Sequence, residues 1–260
     1  MREATDLFPR DAAGTLHVVA LSGGHDSTAL AFLLREQFPE TPFVYVCTPT
    51  GDELPEMFEH WRNLGDRLGR RLVPIMAGTL KGVIRREKML PNFRVRFCTR
   101  VLKIEPYRKF LIEQSKIGPI VSYVGLRADE EGRAGGAYSD IEGVNMRFPL
   151  REMGMGENEV QATLRRFNVT CPNRTDCGMC YHQRLGEWFE YWRDHRAAAL
   201  EAVALEQEMG GTFRTPGRDT WPTPLEDLFA EFSAGRTPKA SLNRMARERM
   251  EAGGCRACSL

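Results

Sequence analysis

The sequence predicts an α/β fold: a mainly parallel, doubly wound sheet with helices on both faces, followed by a helical, cysteine-containing extension. Three observations predict it. Short apolar, β-branched runs recur at residues 16–21, 43–47 and 120–126; segments with apolar residues at helical spacing separate them; and the glycine turn Ser22-Gly23-Gly24 joins the first run to its helix. Strands alternating with helices of this length imply right-handed crossovers and a parallel sheet, whose ligands sit at the carboxyl ends of the strands.

Each element has its own signal. Residues 16–21 (LHVVAL) read as a buried strand, and 27–38 as a helix with Leu30, Leu33, Leu34 and Phe38 along one side. Residues 43–47 (FVYVC) form a second strand, 48–51 a turn, and 54–69 a helix with Leu54, Met57, Phe58, Trp61, Leu64 and Leu68 at apolar positions. Residues 71–77 are expected as a third strand. A basic stretch leads to a helix over 100–116 (Ile104, Tyr107, Leu111) and to the fourth strand at 120–126. After Gly136 the pattern changes: 158–167 is expected as a helix, 170–181 as a cysteine-rich loop, and 183–209 as one long helix with an aromatic face of Leu185, Trp188, Phe189 and Trp192. Pro216, Gly217, Pro222, Pro224, Gly235 and Pro238 mark a loop-rich remainder with short helices. The expected division is 1–168 for the α/β unit and 169–260 for the extension.

The 260 residues, 42% apolar and 9% aromatic, suffice for a sizeable core and argue against a disordered or fibrous chain. With 36 basic and 35 acidic side chains the net charge is +1, so no overall field selects nucleic acid or anionic lipid. No apolar run is long enough to span a bilayer, and Arg2, Glu3, Asp6, Arg10 and Asp11 occupy the place of a signal region. A cytoplasmic protein with no membrane partner is expected. Seven cysteines in that setting favour metal or thiol chemistry over a disulfide framework.

Ser22-Gly-Gly-His-Asp-Ser27 lies between strand and helix, where glycines let backbone N–H groups close around an anion at the positive end of the helix dipole. It lacks the Lys-Ser/Thr ending of a P-loop and the third glycine of a dinucleotide fingerprint. This segment resembles the SGGxDS pyrophosphate loop of the PP-loop nucleotide-binding superfamily. Within that superfamily the chain is similar to the phosphoadenylyl-sulfate (PAPS) reductase family over roughly residues 14–180. Thr50-Gly51-Asp-Glu-Leu-Pro55-Glu56 resembles its DTG-x-x-x-PE loop, with Pro49 in place of Asp. Cys98-Thr-Arg-Val-Leu-Lys-Ile-Glu-Pro106 resembles its CC-x-x-RKVEPL segment, with Thr99 and Leu102 substituted. Gly125-Leu-Arg127 through Arg133 is similar to its G-x-R loop, and Pro149-Leu150 with Glu157-Asn-Glu-Val160 to its PL…DV helix start.

The resemblance implies an adenine nucleotide alpha hydrolase-like fold and an adenine nucleotide as substrate. It implies Ser22, Gly23, Gly24 and Ser27 as phosphate donors, Asp26 near a Mg²⁺-pyrophosphate, Thr50 and Gly51 at the nucleotide, and Lys103, Arg127 and Arg133 neutralising phosphate or sulfate oxygens. Asp26 and Lys103 are the catalytic candidates beside the tail thiols Cys255 and Cys258. The bland alternative for each cation is a solvated surface charge.

Cys177-Gly-Met-Cys180 is consistent with a zinc half-site, an iron–sulfur pair or a redox pair. Iron–sulfur members of the resembled family place cysteines about eighty residues before a C-x-x-C, which implies Cys98, Cys171, Cys177 and Cys180 as ligands of a [4Fe-4S] cluster. Zinc held by Cys177, Cys180, Cys255 and Cys258 is the alternative, as is no metal at all. Cys47, inside an apolar strand, reads as a core thiol.

Ten basic residues lie between Lys81 and Lys109 (Lys81, Arg85, Arg86, Lys88, Arg94, Arg96, Arg100, Lys103, Arg108, Lys109) against Glu87 and Glu105, a local charge of +8. Such a stretch suits substrate phosphates or a nucleic-acid backbone, with Phe93 and Phe97 as stacking or packing residues. Opposing acids lie elsewhere in the chain, for instance Asp52, Glu53, Glu56 and Glu59. Three functions follow as expectations. The first is Mg-ATP cleavage between the α and β phosphates, releasing pyrophosphate and serving sulfur transfer to a nucleic acid or small molecule. The second is sulfonucleotide reduction by Cys255 or Cys258 with a thioredoxin-like partner. The third is non-catalytic nucleotide or nucleic-acid binding. The oligomeric state is not encoded in any of these features.

Overall fold

The computed structural model describes residues 7–130, 132 and 138–239. Its sheet has five strands, β1 (Leu16–Ala20), β2 (Val44–Cys47), β3 (Val73–Pro74), β4 (Ile120–Val124) and β5 (Val144–Arg147), in the order β3-β2-β1-β4-β5. Every pairing is parallel, with Val18 opposite both Val44 and Ser122. The order reverses between β1 and β4, so the crevice for a ligand opens at their carboxyl ends.

Helices cover both faces, as the alternating pattern predicts. Leu16, Val18, Val44 and Val46 meet Tyr107, Phe110 and Leu111 of α5 (Glu105–Ser115) on one face, where the Tyr107 hydroxyl lies 2.7 Å from Ser122 Oγ. On the other face Val19, Leu21 and Tyr45 pack with α1 (His25–Gln37), with Leu64 and Leu68 of α2 (Pro55–Leu68), and with α7 (Glu157–Arg166), which α6 (Pro149–Glu152) precedes. A third core joins α3 (Leu80–Glu87) and the short α4 (Phe97–Thr99) to α8 (Leu185–Asp194), α9 (Arg196–Met209) and α10 (Leu225–Ser233). Fully buried Trp188 and Phe213 sit in it. Among the described residues no helix is long and apolar enough to cross a membrane.

Several expected boundaries change. The third strand shrinks to two residues on the sheet edge, where Pro74 is tolerated because its nitrogen faces away from β2 while Ile75 N–H donates to Cys47 O (2.8 Å). The expected long helix over 183–209 is two helices broken at His195, whose φ of −128° and ψ of 51° leave the helical range where Nε2 meets Glu56 at 3.3 Å. The helix expected over 100–116 begins instead as α4 and a π-helical turn (Arg100–Ile104) before α5. β5 has no hydrophobic run to reveal it: its residues alternate half-buried and exposed.

Candidate functional site

The 22–27 loop sits at the reversal point, anchored by Leu21 N–H on Val46 O at 2.8 Å. Gly23 has φ +90°, a conformation that L side chains rarely adopt, and a Cβ there would lie 2.7 Å from Trp61 Nε1 and 2.9 Å from Met57 Cε. Two consecutive side chains of α2 hold the loop from that side. Trp61 Nε1–H donates to Ser22 O at 2.9 Å and His60 Nε2 lies 3.0 Å from Gly23 O. Burial pushes the His60 pKa down, so the neutral ring with its proton on Nε2 is the donor to this carbonyl.

The loop's hydroxyls form a closed relay. Ser27 Oγ–H donates to Gly24 O (3.1 Å), which leaves Ser22 Oγ–H to donate to Ser27 Oγ (3.0 Å). The N–H groups of Gly23 and Gly24 reach Ser27 Oγ and Ser22 Oγ over 3.3 Å each. These two long bonds are the ones an anionic oxygen would replace with shorter, charge-assisted ones. No side chain caps α1 at Gly24, so the positive end of its dipole faces the same place.

Asp26 and Arg127 form a buried pair on the first turn of α1, each only 4% exposed. Arg127 Nη1 lies 3.3 and 3.4 Å from the two Asp26 oxygens, while its Nε donates to Asp129 Oδ1 at 2.8 Å. Burial raises the Asp26 pKa and the Arg127 charge opposes that shift. The contact depends on Gly125: a Cβ at that position would lie 2.9 Å from Asp26 C and Ser27 N, both backbone atoms. The Gly-x-Arg segment therefore brings β4 against α1 and turns its cation back onto the loop. Asp129 Oδ2 also accepts the Glu157 N–H at the start of α7 (3.2 Å). Arg133 lies outside the described residues.

Thr50 and Gly51 lie at the end of β2, but their groups brace their own loop. Glu53 accepts from Thr50 N–H and Thr50 Oγ1–H (2.7 Å each) and from Gly51 N–H (3.0 Å). With that hydroxyl proton committed, the Cys177 thiol is the donor across the 3.1 Å gap to Thr50 Oγ1. The cysteine turn docks here: Gly178 N–H donates to Asp52 O (2.7 Å) and Met179 N–H to Asp52 Oδ2 (3.1 Å). Burial pushes the Asp52 carboxyl up to about 6. Arg174, 5% exposed, pairs with Asp176 (3.1 Å) and donates to Cys177 O (3.1 Å), fixing the turn from behind.

The cysteines divide. Cys177 and Cys180 are buried in the core around Trp188 with Cys98 packed against it, whereas Cys171 belongs to the core of α1, α2 and α7. Among the described residues no three His, Cys, Asp or Glu side chains form a metal-binding group. A closed four-thiolate site from Cys98, Cys171, Cys177 and Cys180 thus does not fit this arrangement, because Cys171 lies in the other core. The zinc alternative needs Cys255 and Cys258, which lie outside the described residues. Burial raises the Cys47 thiol to about 12 and the Cys171 thiol to about 11, so neither is a thiolate at neutral pH.

Acids from within the stretch and from distant elements match much of its charge. Lys81 pairs with Glu201, Arg85 with Glu208 (3.0 Å), Arg100 with Glu105 (2.5 Å) and Arg108 with Asp140 (2.6 Å), while Arg86 and Lys109 pair with Glu87 and Glu113. Most of the local charge is matched by α9 and nearby acids. Phe97 is core, 6% exposed, while Phe93 is 50% exposed. Lys103 stands half-buried on the π-helical turn, a backbone form enriched at functional sites.

A cavity of about 340 Å³ opens behind His60, lined by Glu56, Glu59, Cys171, Glu190 and Asp194 among others. Its carboxylates Glu56, Glu59, Glu190 and Asp194 stand with Arg174 and His195 in the same lining. Sequence reasoning places Asp52 and Glu53 in the loop after the second strand without a role, and does not single out His60, Trp61 or Arg174 as site residues. A polar pair, His60-Trp61, on an otherwise amphipathic helix is the available signal for two of them.

Residues 16–148 match the sequence profile of the phosphoadenosine phosphosulfate reductase domain. No curated protein matches the chain. Among solved structures it is similar to a phosphoadenylyl-sulfate (PAPS) reductase from Candida auris in its phosphate complex. The identity there is 12% and the TM-score 0.45, over 60% of this chain and 74% of that one. It is also similar to the U34-tRNA thiolase NcsA from Methanococcus maripaludis with its [4Fe-4S] cluster, at 16% identity and a TM-score of 0.47, over 98% of this chain and 84% of that one.

Proposed function

The chain belongs to the phosphoadenosine phosphosulfate reductase domain family, and from that premise we propose that it binds Mg-ATP at the 22–27 loop and cleaves it between the α and β phosphates. An acceptor oxygen attacks the α phosphorus, the bond to the bridging oxygen breaks, and pyrophosphate leaves with the electron pair. The adenylated acceptor is then open to a sulfur nucleophile, which displaces AMP. The acceptor is a nucleic acid or a small molecule, and the sulfur comes from a separate donor.

The observation that carries this reading is the loop itself. Its carbonyls are tied back to Trp61 and His60, its N–H groups hold only long bonds to its own hydroxyls, and Asp26 with Arg127 stands beside it. The loop N–H groups and the Ser22 and Ser27 hydroxyls take the leaving pyrophosphate, with the dipole of α1 behind them. Arg127 and Lys103 offset the charge that grows on it, and Arg133 is assigned the same role. Asp26 would give the Mg²⁺ that arrives with ATP an oxygen ligand.

Sulfonucleotide reduction is the second reading, favoured by the family itself. It requires a reactive thiol, and Cys47 and Cys171, whose pKa values burial raises, do not supply one. That reading takes the tail thiol of Cys255 or Cys258 as its nucleophile. Competition of ATP and PAPS against one labelled adenine nucleotide, with pyrophosphate and sulfite release measured in parallel, separates the two. Tighter ATP binding with pyrophosphate release is the expected result. Tighter PAPS binding with sulfite release that disappears in the Cys255→Ser, Cys258→Ser double variant overturns it.

A further inference from the structure

Eight of the ten cations of the basic stretch fall into two groups. Six are matched to carboxylates, while Lys88 and Arg94 have no carboxylate partner among the described residues. Those two flank one loop, residues 88–96, and that loop is built. Lys88 closes α3 in the left-handed region at φ 53°. Asn92 Oδ1 accepts from the N–H groups of Arg94 (2.9 Å) and Val95 (3.1 Å), and Asn92 and Val95 exchange backbone bonds at 3.1 and 3.2 Å. This tight turn puts Phe93 at its tip.

Phe93 stands perpendicular to two supporting rings, Tyr181 at 5.3 Å and 88° and His182 at 4.8 Å and 89°. The support fixes the ring while half of its surface stays in solvent. Met89 and Val95, 36% and 41% exposed, widen the apolar tip on either side. Tyr181 and His182 directly follow Cys180, whose turn docks on the 50–53 loop. Tyr181 and His182 thus connect the tip, through the cysteine turn, with the 50–53 loop at the end of β2.

We propose that the 88–96 loop is a docking platform for single-stranded nucleic acid, in which a base stacks on Phe93 while Lys88 and Arg94 take the adjoining phosphates. This deepens the reading given above by naming the acceptor class and where it lands. A fixed, half-open aromatic face between two unmatched cations is complementary to a strand that alternates π faces and negative charges. An acidic protein segment would use the cations and leave the ring face without a partner of its own kind.

The test is anisotropy of labelled twelve-residue single-stranded RNA and DNA probes at stepped salt, with ATP binding measured on the same preparations. Phe93→Ala and Phe93→Leu, the second keeping apolar packing against Tyr181, are expected to weaken strand binding about tenfold or more, because stacking supplies about that much per base. Phe93→Trp should bind as the parent does. Lys88→Gln with Arg94→Gln should lower the slope of log affinity against log salt by about 1.4, roughly 0.7 for each phosphate no longer neutralised. ATP affinity should stay unchanged in all of them. Strand binding by Phe93→Leu within twofold of the parent overturns the proposal. So does Phe93-dependent binding of a polyglutamate peptide with no strand binding. A parent chain that binds strand but not ATP leaves the platform standing and refutes the nucleotide reading instead.

Discussion

Replacing Gly23 by alanine tests the construction of the loop with a single methyl group. Two costs add. The residue sits at φ +90°, where an L side chain costs about 1–2 kcal/mol. The new methyl would also meet Trp61 Nε1 at 2.7 Å and Met57 Cε at 2.9 Å, and forcing an extra carbon into a packed site costs about 1–3 kcal/mol. Gly14 supplies the control, because it has φ +79° and nothing within 4 Å of its would-be Cβ. Gly14→Ala should therefore show the backbone cost alone. In denaturant titrations Gly23→Ala should lose about 2–5 kcal/mol and Gly14→Ala about 1–2. The steric part acts on the indole that holds Ser22 O, so ATP affinity should fall in Gly23→Ala and stay level in Gly14→Ala. Trp61→Phe removes both the clashing atom and the hydrogen bond, so its combination with Gly23→Ala should cost less than the two singles together, by more than about 0.5 kcal/mol. Equal losses at Gly23 and Gly14, or strictly additive losses at Gly23 and Trp61, would refute the clamp.

Two further outcomes follow from buried charge. Arg127→Met strands the Asp26 carboxylate and should cost about 3–5 kcal/mol, whereas Asp26→Asn in the same chain should restore much of it; a double variant no more stable than Arg127→Met would count against the pair. Glu206 accepts the N–H groups of Phe213 and Leu225 at 2.7 Å each, and burial lifts its carboxyl from 4.5 to about 7. Between those values the folded chain binds more protons than the unfolded one, so Glu206 makes stability fall as pH rises from about 4.5 to 7, by on the order of 3 kcal/mol at most. Glu206→Gln should flatten that window, and an identical pH dependence in both chains would show that the carboxyl titrates elsewhere.

The sheet and its loop are legible because their signals are local. Val18 and Val19 announce a strand, Gly23 and Gly24 a turn, and Leu30 and Leu33 a helix face within a few residues of each other. What escapes depends on residues far apart in the chain. The +8 of the basic stretch looks open in sequence, yet Glu201 and Glu208 arrive from more than a hundred residues away to match Lys81 and Arg85. Cys171 stands six residues from Cys177, but the intervening segment, tied down by Arg174 and Asp176, separates the two into different cores. His195 and β5 carry no helix breaker and no apolar run, so only their neighbours mark them. At the site, the resemblance identifies the loop and Arg127, while the residues that hold the loop, His60 and Trp61, lie on the next helix.

The docking of the cysteine turn on the 50–53 loop joins residues 127 positions apart, as at Thr50 and Cys177. Contacts of such span carry the chain-entropy cost of closing a long loop, a cost that the β1–β4 pairing of Leu16 with Ile120 shares. Opening of that seam would uncover the Cys177 and Cys180 thiols and release the Thr50 turn together. The shape of the 50–53 loop therefore depends on a segment more than a hundred residues away, through Asp52 on the N–H groups of Gly178 and Met179.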